Sequence, residues 1–208
     1  GRREPATDAT VAEIVGLYQA AGISRWGVQL SPFAQPPALV GWLAARGLPR
    51  RDNWAKVYRA AAPLPRVATD LTVTSVGRDG AQAWAGVAVE GFEMPPFLGG
   101  WLAASVGEPG WRHYLAWDGE TPAAAAALYI WDNVGWLGIE ATLPAYRRRG
   151  AQGALIARSI ADAVDLGCRW LVAETDEDTA ERPNPSYHNM LRAGFSLAYL
   201  RPNYIAGA

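Results

Sequence analysis

Apolar positions along the chain recur at two spacings, and the alternation between them predicts the elements. Val11, Ile14, Val15 and Tyr18 share one face of a helix over 9–21, with N-cap residues in "TDAT" before it and Gly22 to stop it. "SRWGVQL" (24–30) alternates as a strand, "PPALVGWLAARG" (36–47) reads as a helix ended by Gly47, and "NWAKVYR" (53–59) as a second strand. A Pro/Ala connector spans 60–70. Beyond it come a strand at 71–76 and helices over 79–92 and 95–107, the latter weakened by glycines. Strands at 111–119, 121–133 and 134–143 follow, with Asp132-Asn133 suited to a tight turn. The chain closes with a helix over 151–166 ended by Gly167, a strand at 169–174, a helix over 186–194 and a strand at 195–201.

The order helix, strand, helix, strand therefore stands at both ends. "AGISRWGVQL" parallels "LGCRWLVAET", and "WLAARGL" parallels "MLRAGF", each followed by a tyrosine-bearing strand. This reads as an internal repeat. Chance similarity of two such segments is the alternative.

Composition narrows the class. Half of the residues are hydrophobic, enough for a sizeable core, and 19 basic against 20 acidic residues leave a net charge of −1. That balance disfavours non-specific nucleic-acid binding. No apolar run reaches the roughly 20 residues that span a bilayer, and "GRREPATDAT" has no apolar leader, so no membrane partner and a cytoplasmic location are expected. Cys168, the single cysteine, lies among apolar residues and reads as a buried structural thiol. No His/Asp/Glu cluster has metal spacing, so no metal is expected.

One stretch carries chemistry. "AYRRRGAQGALIARSI" (145–160) sits between a strand and a helix and places three arginines and two glycines at the helix start. Helix N-terminal amides lack internal partners and the dipole adds partial positive charge, so an anion is welcome there. Gly150 and Gly153 let a ligand approach the backbone, and the arginines add charge-assisted contacts. A phosphate cradle explains the composition better than a nucleic-acid patch. Neither GxGxxG nor GxxxxGK[ST] occurs, so the pyrophosphate is not held by either of those motifs.

The stretch resembles the main signature of the GNAT superfamily of acyl-CoA-dependent N-acetyltransferases, [QR]xxGx[GA] after a strand. Arg147 and Gly150 match, with Pro144 upstream, while Gln152 stands where glycine or alanine is usual. "NPSYHNMLRAGF" resembles the second signature, a helix with Asn/Ser that runs into a Gly-Phe pair, here Gly194-Phe195. The resemblance covers about residues 70–204. It implies an α/β fold with a mixed, mostly antiparallel central sheet flanked by helices and splayed parallel strands at a coenzyme A site. With the repeat, it implies a partial unit over 1–62 and an acetyltransferase domain over 67–208.

The same resemblance assigns roles. Acetyl-CoA would lie between strands 137–143 and 169–174, its pantetheine against Ala141, Thr142 and Leu143. Its pyrophosphate would meet Arg147, Arg148, Arg149, Gly150, Ala151, Gln152, Gly153 and Ala154, and Asn184 and Ser186 would bond the pantetheine arm or a water. Solvation of the arginines and capping of the next helix by Asn184 and Ser186 are the plainer readings. Many relatives carry a proton-donating tyrosine where this chain has Met190; Tyr187 is the substitute chosen, with His188 as its neighbour. Glu140 is a carboxylate in an apolar strand, where burial would raise its pKa toward a general base's range, unless it faces an edge or a salt bridge. Glu174 and Asp176 are second candidates, and His113 reads as a satisfied structural histidine. In "EGFEMPPFLGGW", Phe92, Met94, Phe97 and Trp101 would wall an acceptor site and Glu90 and Glu93 would attract a cationic amine; a plain core helix pair is the alternative.

The resulting expectation is acetyl transfer to a primary amine of a small molecule or peptide by direct attack in a ternary complex. An inactive acyl-CoA-binding sensor or scaffold is the alternative that Met190 and Gln152 suggest.

Overall fold

Five consecutive alanines, Ala123–Ala127, form the middle of β5 (Thr121–Trp131), and every residue from Ala123 to Leu128 is buried. Such a strand is covered on both faces, and its small side chains let helices on either side come close. In the computed structural model residues 4–64 and 67–207 are described. The first three residues of the expected N-terminal repeat, Pro65 and Arg66 of the connector, and Ala208 lie outside the described residues. The chain divides into two compact units.

The larger unit comprises Val57–Glu174 and Pro185–Ser196. Its strands are β3 (Thr72–Val76), β4 (Trp111–Asp118), β5, β6 (Val134–Thr142) and most of β7 (Trp170–Asp176), in the order β7-β6-β5-β4-β3. β6 and β7 are parallel; the other neighbours are antiparallel. The β5–β6 hairpin turns at Asp132 and Asn133, with φ of 46° and 61°, the left-handed pair that a two-residue hairpin needs.

Helices cover both faces of this sheet. On one side α3 (Ala81–Gly91) and α4 (Leu98–Ala103) bury Trp84, Val87 and Leu102 against Leu115, Ala125 and Ala127. On the other, α5 (Ala151–Asp165) buries Leu155, Ile156 and Ile160 against Ala124, Ala126 and Leu128, with Met190 of α6 (Pro185–Arg192) and Phe195 in the same cluster. Each fully buried Leu or Ile stabilises the fold by about 1.5–3 kcal/mol. α4 is shorter than the 95–107 expected: Pro95 and Pro96 delay its start, and the glycine pair Gly99-Gly100 weakens it.

The smaller unit comprises Gly1–Lys56, Thr175–Asn184 and Leu197–Ala208. It holds α1 (Asp8–Ala20), β1 (Trp26–Gln29), α2 (Leu39–Ala45), most of β2 (Arg50–Ala60) and most of β8 (Ser196–Ala206). Thr7 and Thr10 cap α1 reciprocally, and Asp8 takes both arms of Arg46 at 2.7 Å, which ties α1 to the end of α2. Val11, Leu39, Leu43, Leu48 and Tyr204 form its core. β8 runs beyond the expected 195–201 because Pro202, which suggests an end, still uses its carbonyl to accept from Leu30. No helix of the described residues is long and apolar enough to cross a membrane.

Candidate active site

β6 changes course at its third quarter. Ala125 of β5 pairs with Ala141 and Ala127 with Gly138, so Ile139 and Glu140 together oppose the single residue Ala126. This is a β-bulge, and Ile139 takes φ of 53°, a left-handed value that a β-branched residue adopts only under constraint. α3 contacts the strand opposite the bulge, where the buried indole of Trp84 donates to the Ala126 carbonyl at 3.0 Å. A bulge re-aims side chains and breaks pairing, and both occur. The last β6–β7 pair is Leu137 with Ala173, although β6 continues to Thr142, so the two parallel strands part beyond it. Leu143 donates to Ala123 of β5, and by alternation Thr142 faces the other way, toward the parting.

Glu140 lies at this point. Its Oε2 accepts from Gln152 Nε2 at 3.0 Å, and its Oε1 is buried with no partner among the described residues. Burial pushes the carboxyl up to about 7, partly offset by the Gln152 bond. Gln152, from the first turn of α5, also donates to Ser186 Oγ at 2.8 Å and accepts from Asn189 Nδ2. The residue that departs from the signature is therefore the hub joining α5, β6 and α6, and its side chain is not in the phosphate turn.

That turn follows a short 3-10 segment, Pro144–Tyr146. Gly150 takes φ of 80°, and Ala154 is the first residue of α5 whose amide bonds inside the helix, to Gly150. Among the described residues the backbone amides of Arg148 to Gly153 have no acceptor. Such a run of open amides at a helix start suits a pyrophosphate. Segment 67–71, which sequence reasoning missed, borders it. Thr69 Oγ1 donates to the Arg149 carbonyl at 2.8 Å, and an open groove of about 360 Å³ is lined by Val67, Ala68, Thr69 and Leu71. A Cβ on Gly150 would stand 2.5 Å from the Ala68 carbonyl and one on Gly153 3.0 Å from Val67, so the glycines first admit the chain itself.

The arginines divide. Arg149 bonds Asp70 at 2.5 Å and Asp118 at 2.8 Å, holding both carboxyls below the usual range, and lies over the Tyr146 ring. It fastens the turn. Arg147 and Arg148 are exposed beside the open amides.

The remaining candidates are dispersed. Gly91, at the end of α3, approaches β6 so closely that a Cβ would lie 2.8 Å from that of Ala141, which seats the following loop beside the bulge. In that loop Phe92, Phe97 and, on α4, Trp101 are exposed, Glu93 has φ of 53°, and Met94 packs into the α3–α4 core. Met190 is buried and leaves no polar group at the usual donor position; Tyr187 packs partly against the same core. In the smaller unit, the Asn184 amide donates to Thr175 Oγ1 at 3.0 Å and to the Asp176 carbonyl at 2.6 Å. His113 is buried, bonds Ser105 at 3.0 Å and is pushed down to about 4 by burial, a structural histidine. Cys168 is buried.

The profile of the acetyltransferase (GNAT) family matches residues 87–195, more than half of the chain. No curated protein matches the sequence. A GCN5-related N-acetyltransferase from Kribbella flavida is 18% identical with a TM-score of 0.70, covering 99% of this chain and 78% of its own. One from Sphaerobacter thermophilus is 16% identical, also with a TM-score of 0.70, over 95% of this chain and 68% of its own. A tandem GNAT protein from the clavulanic acid biosynthesis pathway is 17% identical, TM-score 0.66, over 99% of this chain and 71% of its own. The chain shares the overall fold of these structures. The chain belongs to the GNAT family of acetyltransferases, whose members use acetyl-CoA.

Proposed function

We propose that the protein transfers an acetyl group from acetyl-CoA to a primary amine of a small molecule or peptide, by direct attack in a ternary complex. The observation that carries this reading is the buried Glu140 carboxylate at the bulge where β6 and β7 part. When bound, acetyl-CoA supplies the acetyl thioester. The open amides of Arg148 to Gly153 would hold its pyrophosphate, with Arg147 and Arg148 adding charge and Thr142 meeting the pantetheine.

The amine must lose a proton to attack, and Glu140 Oε1 is the atom left to take it. Phe92, Glu93 and Phe97 would receive the acceptor, the carboxylate favouring a cationic amine and the rings an apolar body. Tyr187 is the donor we assign to the departing thiolate of coenzyme A, which leaves as the thiol. Residues 67–208 form the catalytic domain in this reading. Residues 1–62 form a degenerate half of a second unit, which the match to a tandem GNAT protein supports.

Amine-dependent release of thiol from acetyl-CoA, across a panel of small and peptide amines, tests it. Glu140→Gln should lower turnover by about 10²-fold or more with coenzyme affinity unchanged, and Tyr187→Phe should lower it with affinity unchanged. The second reading, an acyl-CoA-binding sensor, is favoured by the buried Met190 at the usual donor position. Tight acetyl-CoA binding with no thiol release from any amine would select it.

A further inference from the structure

Glu140 is the end of a longer chain of polar contacts. Arg192, exposed on α6, donates from its guanidinium to Asn189 Oδ1; Asn189 Nδ2 donates to Gln152 Oε1; Gln152 Nε2 donates to Glu140 Oε2 at 3.0 Å. A second Gln152 proton goes to Ser186 Oγ at 2.8 Å, so the amide is fully used. The two ends fix the direction. A guanidinium can only donate, so it selects the oxygen of Asn189, which turns the Asn189 nitrogen to Gln152 and hence the Gln152 nitrogen to Glu140. An ionised carboxylate can only accept, and it closes the series. Bonds oriented in one sense polarise each other, most strongly away from water.

We propose that Arg192, Asn189 and Gln152 form a one-way hydrogen-bond relay that positions Glu140 and keeps its carboxylate in the ionised, proton-accepting form. The three are positioning residues, and the relay explains what the departure from the signature at Gln152 does. Glycine or alanine there cannot span from α5 to β6 and α6. The titratable groups on the surrounding elements of the larger unit are Glu90 on α3, Tyr129 on β5, Arg158, Asp162 and Asp165 on α5, Glu174 on β7, and Tyr187, His188 and Arg192 on α6. Gln152 is the side chain that acts on the carboxylate, in opposition to burial. The catalytic consequence rests on Glu140 being the base, whereas the relay itself is read from ionisation alone.

The test is a carbon NMR titration of protein labelled at the glutamate side-chain carboxyls, with Glu140→Gln to assign the resonance. Asn189→Leu changes no charge and removes the link that keeps the Gln152 oxygen away from Glu140. Its Glu140 midpoint should rise by about half a pH unit or more. Asn189→Asp accepts from both neighbours and so reverses the Gln152 amide. Its midpoint should rise by about one pH unit or more. An unchanged midpoint in folded Asn189→Leu overturns the relay. Should that variant fail to fold, Asn189→Ala, which is likewise uncharged and removes the same link, decides by the same criterion. A wild-type midpoint in the ordinary carboxylate range counts instead against Glu140 as the base, and the variants still judge the relay.

Discussion

Gln152 Nε2 donates to one oxygen of Glu140 at 3.0 Å, while the other oxygen is buried without a partner among the described residues. The carboxylate is thus held through one oxygen, and its other oxygen is left to accept a proton. Because only the ionised form takes a proton and the group is pushed up to about 7, kcat/KM should rise with pH through about that value and level off above it. A rate profile that is flat between pH 5 and pH 8, about a unit or two on either side, would remove Glu140 from the mechanism.

The same burial has a consequence for stability, with a definite sign. A carboxyl whose folded pKa is raised binds more protons folded than unfolded, so its contribution is present below the unfolded value and is lost as pH rises toward about 7. Glu140→Gln should therefore match the wild type near pH 4 and be more stable by roughly 1–3 kcal/mol at pH 8. Urea unfolding at both pH values checks it; equal stability at pH 8 would mean that the carboxylate is not buried in solution.

Trp84 and the bulge form one unit. Trp84→Phe keeps an aromatic ring but leaves the Ala126 carbonyl, opposite Ile139 and Glu140, without its indole partner. A loss of about 1–3 kcal/mol is expected, together with a fall in turnover larger than the fall in coenzyme affinity. Turnover that survives intact would show that the bulge holds its shape unaided.

At the phosphate turn, Gly150→Ala meets a φ of 80° and the Ala68 carbonyl 2.5 Å away. The left-handed backbone alone costs about 1–2 kcal/mol, and segment 67–69 must move as well. A lower urea midpoint and weakened acetyl-CoA binding should appear together. Arg147→Ala with Arg148→Ala should instead leave stability unchanged and weaken acetyl-CoA about tenfold at low salt, less at high salt.

The fold was legible because its signals are local. The apolar stripe of α5, the Asp132-Asn133 turn and the unbroken apolar run of β5 each follow from spacing alone. Glu140 was legible as a carboxylate among apolar neighbours. What the sequence hid depends on tertiary contact. Segment 67–71 reaches the glycine turn across the fold, and Arg149 reads as a phosphate ligand until Asp70 and Asp118, distant in the chain, are seen to occupy it. Gln152 reads as a departure from a pattern until Asn189 and Glu140 are found on either side of its amide. The bulge leaves no mark in periodicity, since one extra residue looks like an ordinary end of alternation.

The most direct test of the account is calorimetric titration of acetyl-CoA into the wild-type chain at low and high salt, with the Arg147→Ala, Arg148→Ala double variant alongside. Saturable binding in the micromolar range, weakened by salt and weakened in the variant, is the result expected of a pyrophosphate seated on the amides of Arg148 to Gly153. No binding to the folded wild-type protein would contradict it.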